Sequence, residues 1–210
     1  MPRYRAGLII DSTGGNDGAM TNTALLVMDV QNGIVGRIGD GSGPLLAAVG
    51  RATAGARGSG VPVIYVRVAF RPGSPEISGR NRAFSTIGAA PAMGVDDPAT
   101  QIHPAVAPEP DDVVVIKKRV SAFTGSDLDV VLRSMEVGSL VLTGIATSGV
   151  VLSTLRQGAD LDYELAVLGD GCADPDPEVH RVLLDKVFPR QAAVVGTAEW
   201  VESLSGRSAS

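Results

Sequence analysis

Two ionisable side chains close apolar runs in this sequence: Asp29 in LLVMDVQNG and Lys117 in VVVIKK. A carboxylate that follows four apolar residues is partly desolvated, which raises its pKa, while a neighbouring ammonium lowers it. Such a pair can exchange protons with a substrate in either direction. Each also has an ordinary alternative, a turn-capping aspartate and a solvated strand-end lysine. Lys118 offers a second ammonium but points to the opposite face by the period-two rule, so only one lysine can share a cleft with Asp29. A third segment, TGIATSGVVLST (143–154), leads from an apolar strand through small residues into a helix. Backbone N–H groups at a helix start can hold a developing negative charge whatever the side chains are.

Other candidates are less specific. Gln31 follows the aspartate and could orient a ligand or bond within a turn. Arg67, Arg71, Arg80 and Arg82 fall on one strand and the loop after it, where they could bind a substrate carboxylate bidentately, of which Arg71 is the candidate retained. The one cysteine, Cys172 in GDGCADPD, lies just past a strand. A relocated nucleophile there is weighed against a small half-buried thiol, and the latter is favoured. His103 and His180 have no partner nearby in sequence.

Composition narrows the partners. The 210 residues carry a net charge of -5 with a pI near 5.0, which gives no clustered positive charge for nucleic acid or an anionic membrane. A small-molecule substrate and a further copy of the chain, as a homo-oligomer (dimer or tetramer), are the expected partners. One cysteine and two separated histidines argue against a disulfide and a zinc site, and neither metal nor cofactor is expected. No apolar run approaches the ~20 residues of a membrane span, and MPRYRAGLII is too short and too soon interrupted to be a signal peptide. A cytoplasmic, bacterial-type protein is expected.

The elements that must position these residues alternate strand and helix, the pattern of βαβ units. Strands are predicted at 24–30, 61–70, 113–117, 139–145, 164–170 and 192–196, with helices at 45–56, 126–135, 149–161 and 177–188. Residues 71–112 read mostly as a loop, and so long a loop is usually a lid, a binding loop or an oligomer arm. The predicted fold is α/β: a doubly wound, Rossmann-like, six-stranded parallel sheet with helices on both faces, whose ligands sit at the carboxyl ends of the strands. Residues 1–19, polar and glycine-rich, are expected to form a disordered N-terminal extension, and 20–210 a single domain.

LLVMDVQNG, KKRVSAF and TGIATSGVVLST together resemble the three signature segments of the isochorismatase-like, or cysteine hydrolase, superfamily, in the same order, across residues 24–197. The resemblance implies the doubly wound sheet and an Asp–Lys–Cys triad in which Asp29 and Lys117 match the first two members. It implies an oxyanion hole from the main chain at Ala146 and Val150, beside Thr147, with a peptide bond that is often cis before Ala146. It also implies that Phe123 lines the pocket. The departure is at Val150, which stands where the family places its cysteine. Val120 replaces an aromatic.

Three functions follow from that departure. The first is a hydrolase without a cysteine nucleophile, using Asp29 as general acid or base with Lys117, as the resemblance to the family's cysteine-free isochorismatases implies. Those enzymes protonate a vinyl ether so that water can attack. The turn I-A-T-S-G-V lacks their aromatic and histidine, which leaves the substrate open. The second is a catalytically silent member, a pseudoenzyme or binding module. The third is the relocated Cys172.

Overall fold

The run ALLVM is apolar at every position and can present no polar face to water, so it must lie inside a sheet covered on both sides. The computed structural model, which describes residues 22–87 and 93–205, makes it the heart of β1 (Asn22–Met28). The extension expected at 1–19 lies outside the described residues. In chain order there follow α1 (Asn32–Val35), α2 (Ser42–Gly58), β2 (Val63–Val68), α3 (Arg82–Ile87), β3 (Val113–Lys117) and α4 (Leu128–Ser134). Then come β4 (Val137–Ile145), α5 (Leu152–Asp160), β5 (Glu164–Ala173), α6 (Pro177–Val182), β6 (Ala193–Val195) and α7 (Thr197–Ser205).

The six strands form one parallel sheet in the order β3-β2-β1-β4-β5-β6. Period-two alternation divides β1 between two cores. Ala24, Leu26 and Met28 pack with Leu128 and Leu132 of α4 and Leu155 of α5. Leu25 and Val27 pack with Leu45, Val49 and Ala52 of α2 and Trp200 and Leu204 of α7. This is the doubly wound α/β fold, and strand order reverses between β1 and β4, where such sheets bind ligands.

Three features differ from the pattern predicted from sequence. The 71–112 segment holds α3 and two single-turn 3-10 helices (Pro98–Thr100 and Pro104–Val106), and it is tied back by bridges from Gln31 to Ile102 and from Phe70 to Gly94. Helices α1 and α7 have no counterpart among the predicted elements. Strand β5 continues past Asp170 to Ala173, with a register shift against β4, so Asp170 does not end at the switch point. Its carboxylate instead accepts from Thr197 N (2.8 Å) and Thr197 Oγ1 (2.7 Å), capping α7. No helix of the described residues is long and apolar enough to cross a membrane.

The contact that lets β4 lie against β1 at the switch point is Gly144. Its φ is +142°, and a Cβ there would stand 2.1 Å from the carbonyl oxygen of Met28. Because the obstacle is backbone of an inner strand, it cannot move aside as a side chain could. Gly144→Ala is expected to cost about 3 kcal/mol or more, from steric overlap and backbone strain together. Urea unfolding measures this, and a loss below about 1 kcal/mol would show that the two strands can separate at this point.

Candidate active site

Asp29 is the first residue beyond β1. Its φ of 56° turns the chain off the strand, while its N–H still donates to Val66 O at 2.8 Å. The carboxylate is therefore fixed at the end of an inner strand. Lys117 ends β3, the edge strand two places away, opposite Val68 of β2 in register. Its long side chain reaches across so that Nζ lies 2.8 Å from Asp29 Oδ2, with the lysine side chain only 2% exposed. The same ammonium donates to the carbonyls of Arg119 (2.9 Å) and Val120 (3.1 Å), which uses all three of its protons.

The two carboxylate oxygens are not equivalent. Oδ2 holds the lysine, whereas Oδ1 is buried and has no hydrogen-bond partner among the described residues. Burial lifts the Asp29 carboxyl above the ordinary carboxylate range, opposed by the charge and hydrogen bond of Lys117. The geometry thus holds one oxygen still and leaves the other without a partner, on a group whose proton affinity is raised.

Across the β1–β4 seam, Met28 pairs with Gly144, so the chain after Gly144 emerges beside Asp29. The Ile145–Ala146 peptide bond is cis. Ala146 O accepts from the N–H groups of both Gly149 (3.0 Å) and Val151 (3.3 Å), and Gly149, at φ −97° and ψ −105°, interrupts the helical path. Val150 is buried among the core residues that include Met28 and Cys172 and brings only methyl groups. Thr147 is fully buried, and its Oγ1 lies 2.8 Å from His180 Nδ1. Ser148 N donates to Asp174 Oδ2 at 2.7 Å.

Other sequence candidates take different roles. The Gln31 amide is engaged by backbone: Nε2 donates to Val68 O (3.0 Å) and Thr100 O (2.8 Å), and Oε1 accepts from Val68 N (2.8 Å). It joins the end of β2 to the 71–112 segment and has no amide hydrogen left to give a ligand. Phe123, expected to line the pocket, packs in the core and stacks on Tyr163, with ring centroids 5.9 Å apart. Tyr163 precedes the first residue of β5, at the end of the sheet opposite Asp29, which draws the ring away from the site. Arg71 is exposed and paired with Glu76 at 2.6 Å. Arg67 instead donates to Val95 O and Thr100 O.

Cys172 is buried opposite Gly144, and burial pushes its thiol up to about 12, which removes the thiolate that nucleophilic attack requires. His103 caps a 3-10 turn by accepting from Ala105 N. No group of three or more His, Cys, Asp or Glu that could hold a metal ion occurs among the described residues. Sequence reasoning missed the contacts of His180 and Asp174 with the turn. The available signal was DPDPEVH after a strand, which places a helix N-terminus and its first-turn histidine beside the neighbouring strand end.

The doubly wound sheet thus brings an Asp–Lys pair and a helix-start turn together at its switch point. The chain belongs to the isochorismatase family: the model of the isochorismatase domain matches residues 23–199. It is 36% identical over 189 residues to ureidoacrylate amidohydrolase RutB of Methylobacterium radiotolerans, covering 79% of this chain and 72% of that one. An isochorismatase family protein from Burkholderia thailandensis superposes with a TM-score of 0.78 at 30% identity, covering 88% of this chain and 96% of its own. A cysteine hydrolase from Pseudomonas syringae pv. phaseolicola gives 0.80 at 26% identity, covering 88% and 93%.

Removing one partner of the buried pair tests its energetics. Lys117→Met leaves the Asp29 carboxylate buried with no counter-charge and should cost about 3–5 kcal/mol at neutral pH. The folded carboxyl then lies further above its ordinary value of 3.8, so the folded state holds a proton that the unfolded chain releases. Stability of the variant is therefore greatest below that ordinary value and falls as pH rises through the window above it. Urea midpoints measured across acid to neutral pH check this, and a variant whose midpoint rises over the same range contradicts it.

Proposed function

We propose that this chain is a hydrolase of a small molecule in which Asp29 acts as general acid and base, Lys117 holds it, and water is the attacking group. The observation that carries this reading is the asymmetry of the Asp29 carboxylate, one oxygen fixed by Lys117 and the other buried without a partner. A carboxyl with raised proton affinity can give its proton to a substrate and recover it later. Lys117, with every proton engaged, acts through Asp29 rather than on the substrate.

With an enol ether, the Asp29 proton adds to the vinyl carbon and the π electrons form the new C–H bond. The other carbon becomes oxocarbenium-like and bonds to the oxygen of water, whose proton returns to Asp29. The hemiketal then collapses, the C–O bond to the leaving group breaks, and that oxygen takes the proton. The N–H groups at Ala146 and Val150 would hold the negative charge that develops on oxygen during collapse. No step requires a side-chain nucleophile, which fits Val150 in the turn. The relatives named ureidoacrylate amidohydrolases add ureides and amides to the substrates worth testing.

A second reading has its own observation. Val150 and the raised thiol of Cys172 together leave no cysteine for attack, as expected of a family member that binds a small molecule without turning it over. A panel of small enol ethers and ureides, ureidoacrylate included, separates the two. Asp29→Asn should lower kcat/KM by about a hundredfold to ten-thousandfold, and a variant within threefold of the parent would end the acid–base reading. Ligand binding without turnover by the parent across the panel would favour the silent member.

Val150→Cys probes the backbone frame. It should gain amidase activity on ureidoacrylate and accumulate an acyl-enzyme visible by intact-mass spectrometry, because the thiol would stand at a helix start beside Asp29. A well-folded variant that gains nothing would show that the turn is no oxyanion hole.

A further inference from the structure

The turn at 146–150 is a kinked, π-type helix start. Gly149 departs from helical geometry, Ala146 O accepts from the N–H groups of both Gly149 and Val151, and the N–H of Leu152 reaches Thr147 O and Gly149 O. A kinked helix start of this kind needs outside contacts to fix where its N–H groups point. Two such contacts come from the connection after β5. Asp174 Oδ2 accepts from Ser148 N at 2.7 Å, and His180 Nδ1 lies 2.8 Å from the hydroxyl of the fully buried Thr147.

That connection is itself rigidly built. Ala173 pairs with Ile145, which carries β5 up to the turn. Asp174 Oδ1 accepts from Asp176 N (3.2 Å), and Asp176 caps α6 by accepting from Glu178 N (2.9 Å) and Val179 N (3.2 Å). His180 N donates to Asp176 O at 3.0 Å, so the ring is delivered from the first turn of a capped helix. Asp174 and His180 thus grip consecutive residues of the turn, Ser148 through its backbone and Thr147 through its side chain.

From this geometry we infer that His180 is a positioning residue, which together with Asp174 clasps the 146–150 turn and sets the direction of its N–H groups. The inference rests on the proposed role of that turn in holding negative charge. The fully buried Thr147 hydroxyl is engaged by His180 Nδ1 and serves as the handle by which the turn is held. Burial pulls the imidazole below its ordinary pKa, opposed by Asp174 and Asp185, so His180 is neutral at physiological pH. Thr147 can either donate to Nδ1 or accept from it, so the contact survives protonation. The clasp is constitutive rather than a pH switch.

Amide hydrogen exchange reads the clasp independently of turnover. His180→Ala should speed exchange at Ser148 and Val151 by about a hundredfold, while the amides of β1 keep their protection. Thr147→Val, which keeps shape and loses the hydroxyl, should do the same and serves if the alanine variant does not fold. Unchanged exchange in the folded variant overturns the inference whatever the activity. On any substrate whose turnover depends on Asp29, His180→Ala should lower kcat by about a hundredfold with little change in KM, since misplaced donors weaken the transition state more than binding.

His180→Asn, whose amide can replace Nδ1, should recover kcat to within about threefold of the parent. Turnover lost with Asp29→Asn but kept in His180→Ala would overturn the positioning role and leave the proposed function standing. Turnover that ignores Asp29 would defeat the proposed function, and exchange alone would then decide the clasp.

Discussion

The contact between Lys117 Nζ and Asp29 Oδ2 brings two opposite charges out of water and between the layers of the fold. Desolvating both is expensive, and their attraction offsets that cost only if the partners are fully bonded and held in place. Much of the upper edge of the sheet serves this condition. The edge strand β3 ends at the lysine, the carbonyls of Arg119 and Val120 take its remaining protons, and the N–H of Asp29 is anchored to Val66 on the strand between them. The result is an asymmetric carboxylate, with one oxygen bound by the lysine and the other without a partner among the described residues, which is the feature the proposed acid–base role draws on.

The second constraint is the close approach of β4 to β1. The missing side chain at Gly144 lets the two strands run together until their ends meet, so that the turn after β4 emerges beside the carboxylate. Beyond that point the chain enters a kinked helix start that Asp174 meets at the Ser148 N–H and His180 meets at the Thr147 hydroxyl. Val150 contributes only methyls to this turn, so any polar contact it offers comes from its backbone and from Thr147 and Ser148.

Several polar and aromatic residues near the signature segments are structural, for reasons that local sequence does not reveal. Gln31 imitates a strand, exchanging hydrogen bonds with Val68 in both directions while holding Thr100. Phe123 belongs to a core assembled from α4, α5 and the start of β5, and its stacking on Tyr163 draws the ring away from the strand ends. Asp170 stands at the end of the predicted strand 164–170, but β5 continues three residues further and the aspartate caps α7. In each case the deciding partner is distant in sequence.

The sequence by itself determined the layers of the fold and the alternation of its elements, because unbroken apolar strands alternating with helical patterns can be buried only as a parallel sheet covered on both faces. It also marked Asp29, Lys117 and the 143–154 turn, since a charge at the end of an apolar run must find a partner and small residues must form a tight strand-to-helix turn. Tertiary structure alone decided which carboxylate oxygen stays without a partner, and that His180 meets Thr147. Those outcomes depend on strand order, register and the reach of side chains between segments as far as 88 positions apart, as with Asp29 and Lys117. Such long-range geometry is set when the sheet closes, not by the local pattern around any one residue.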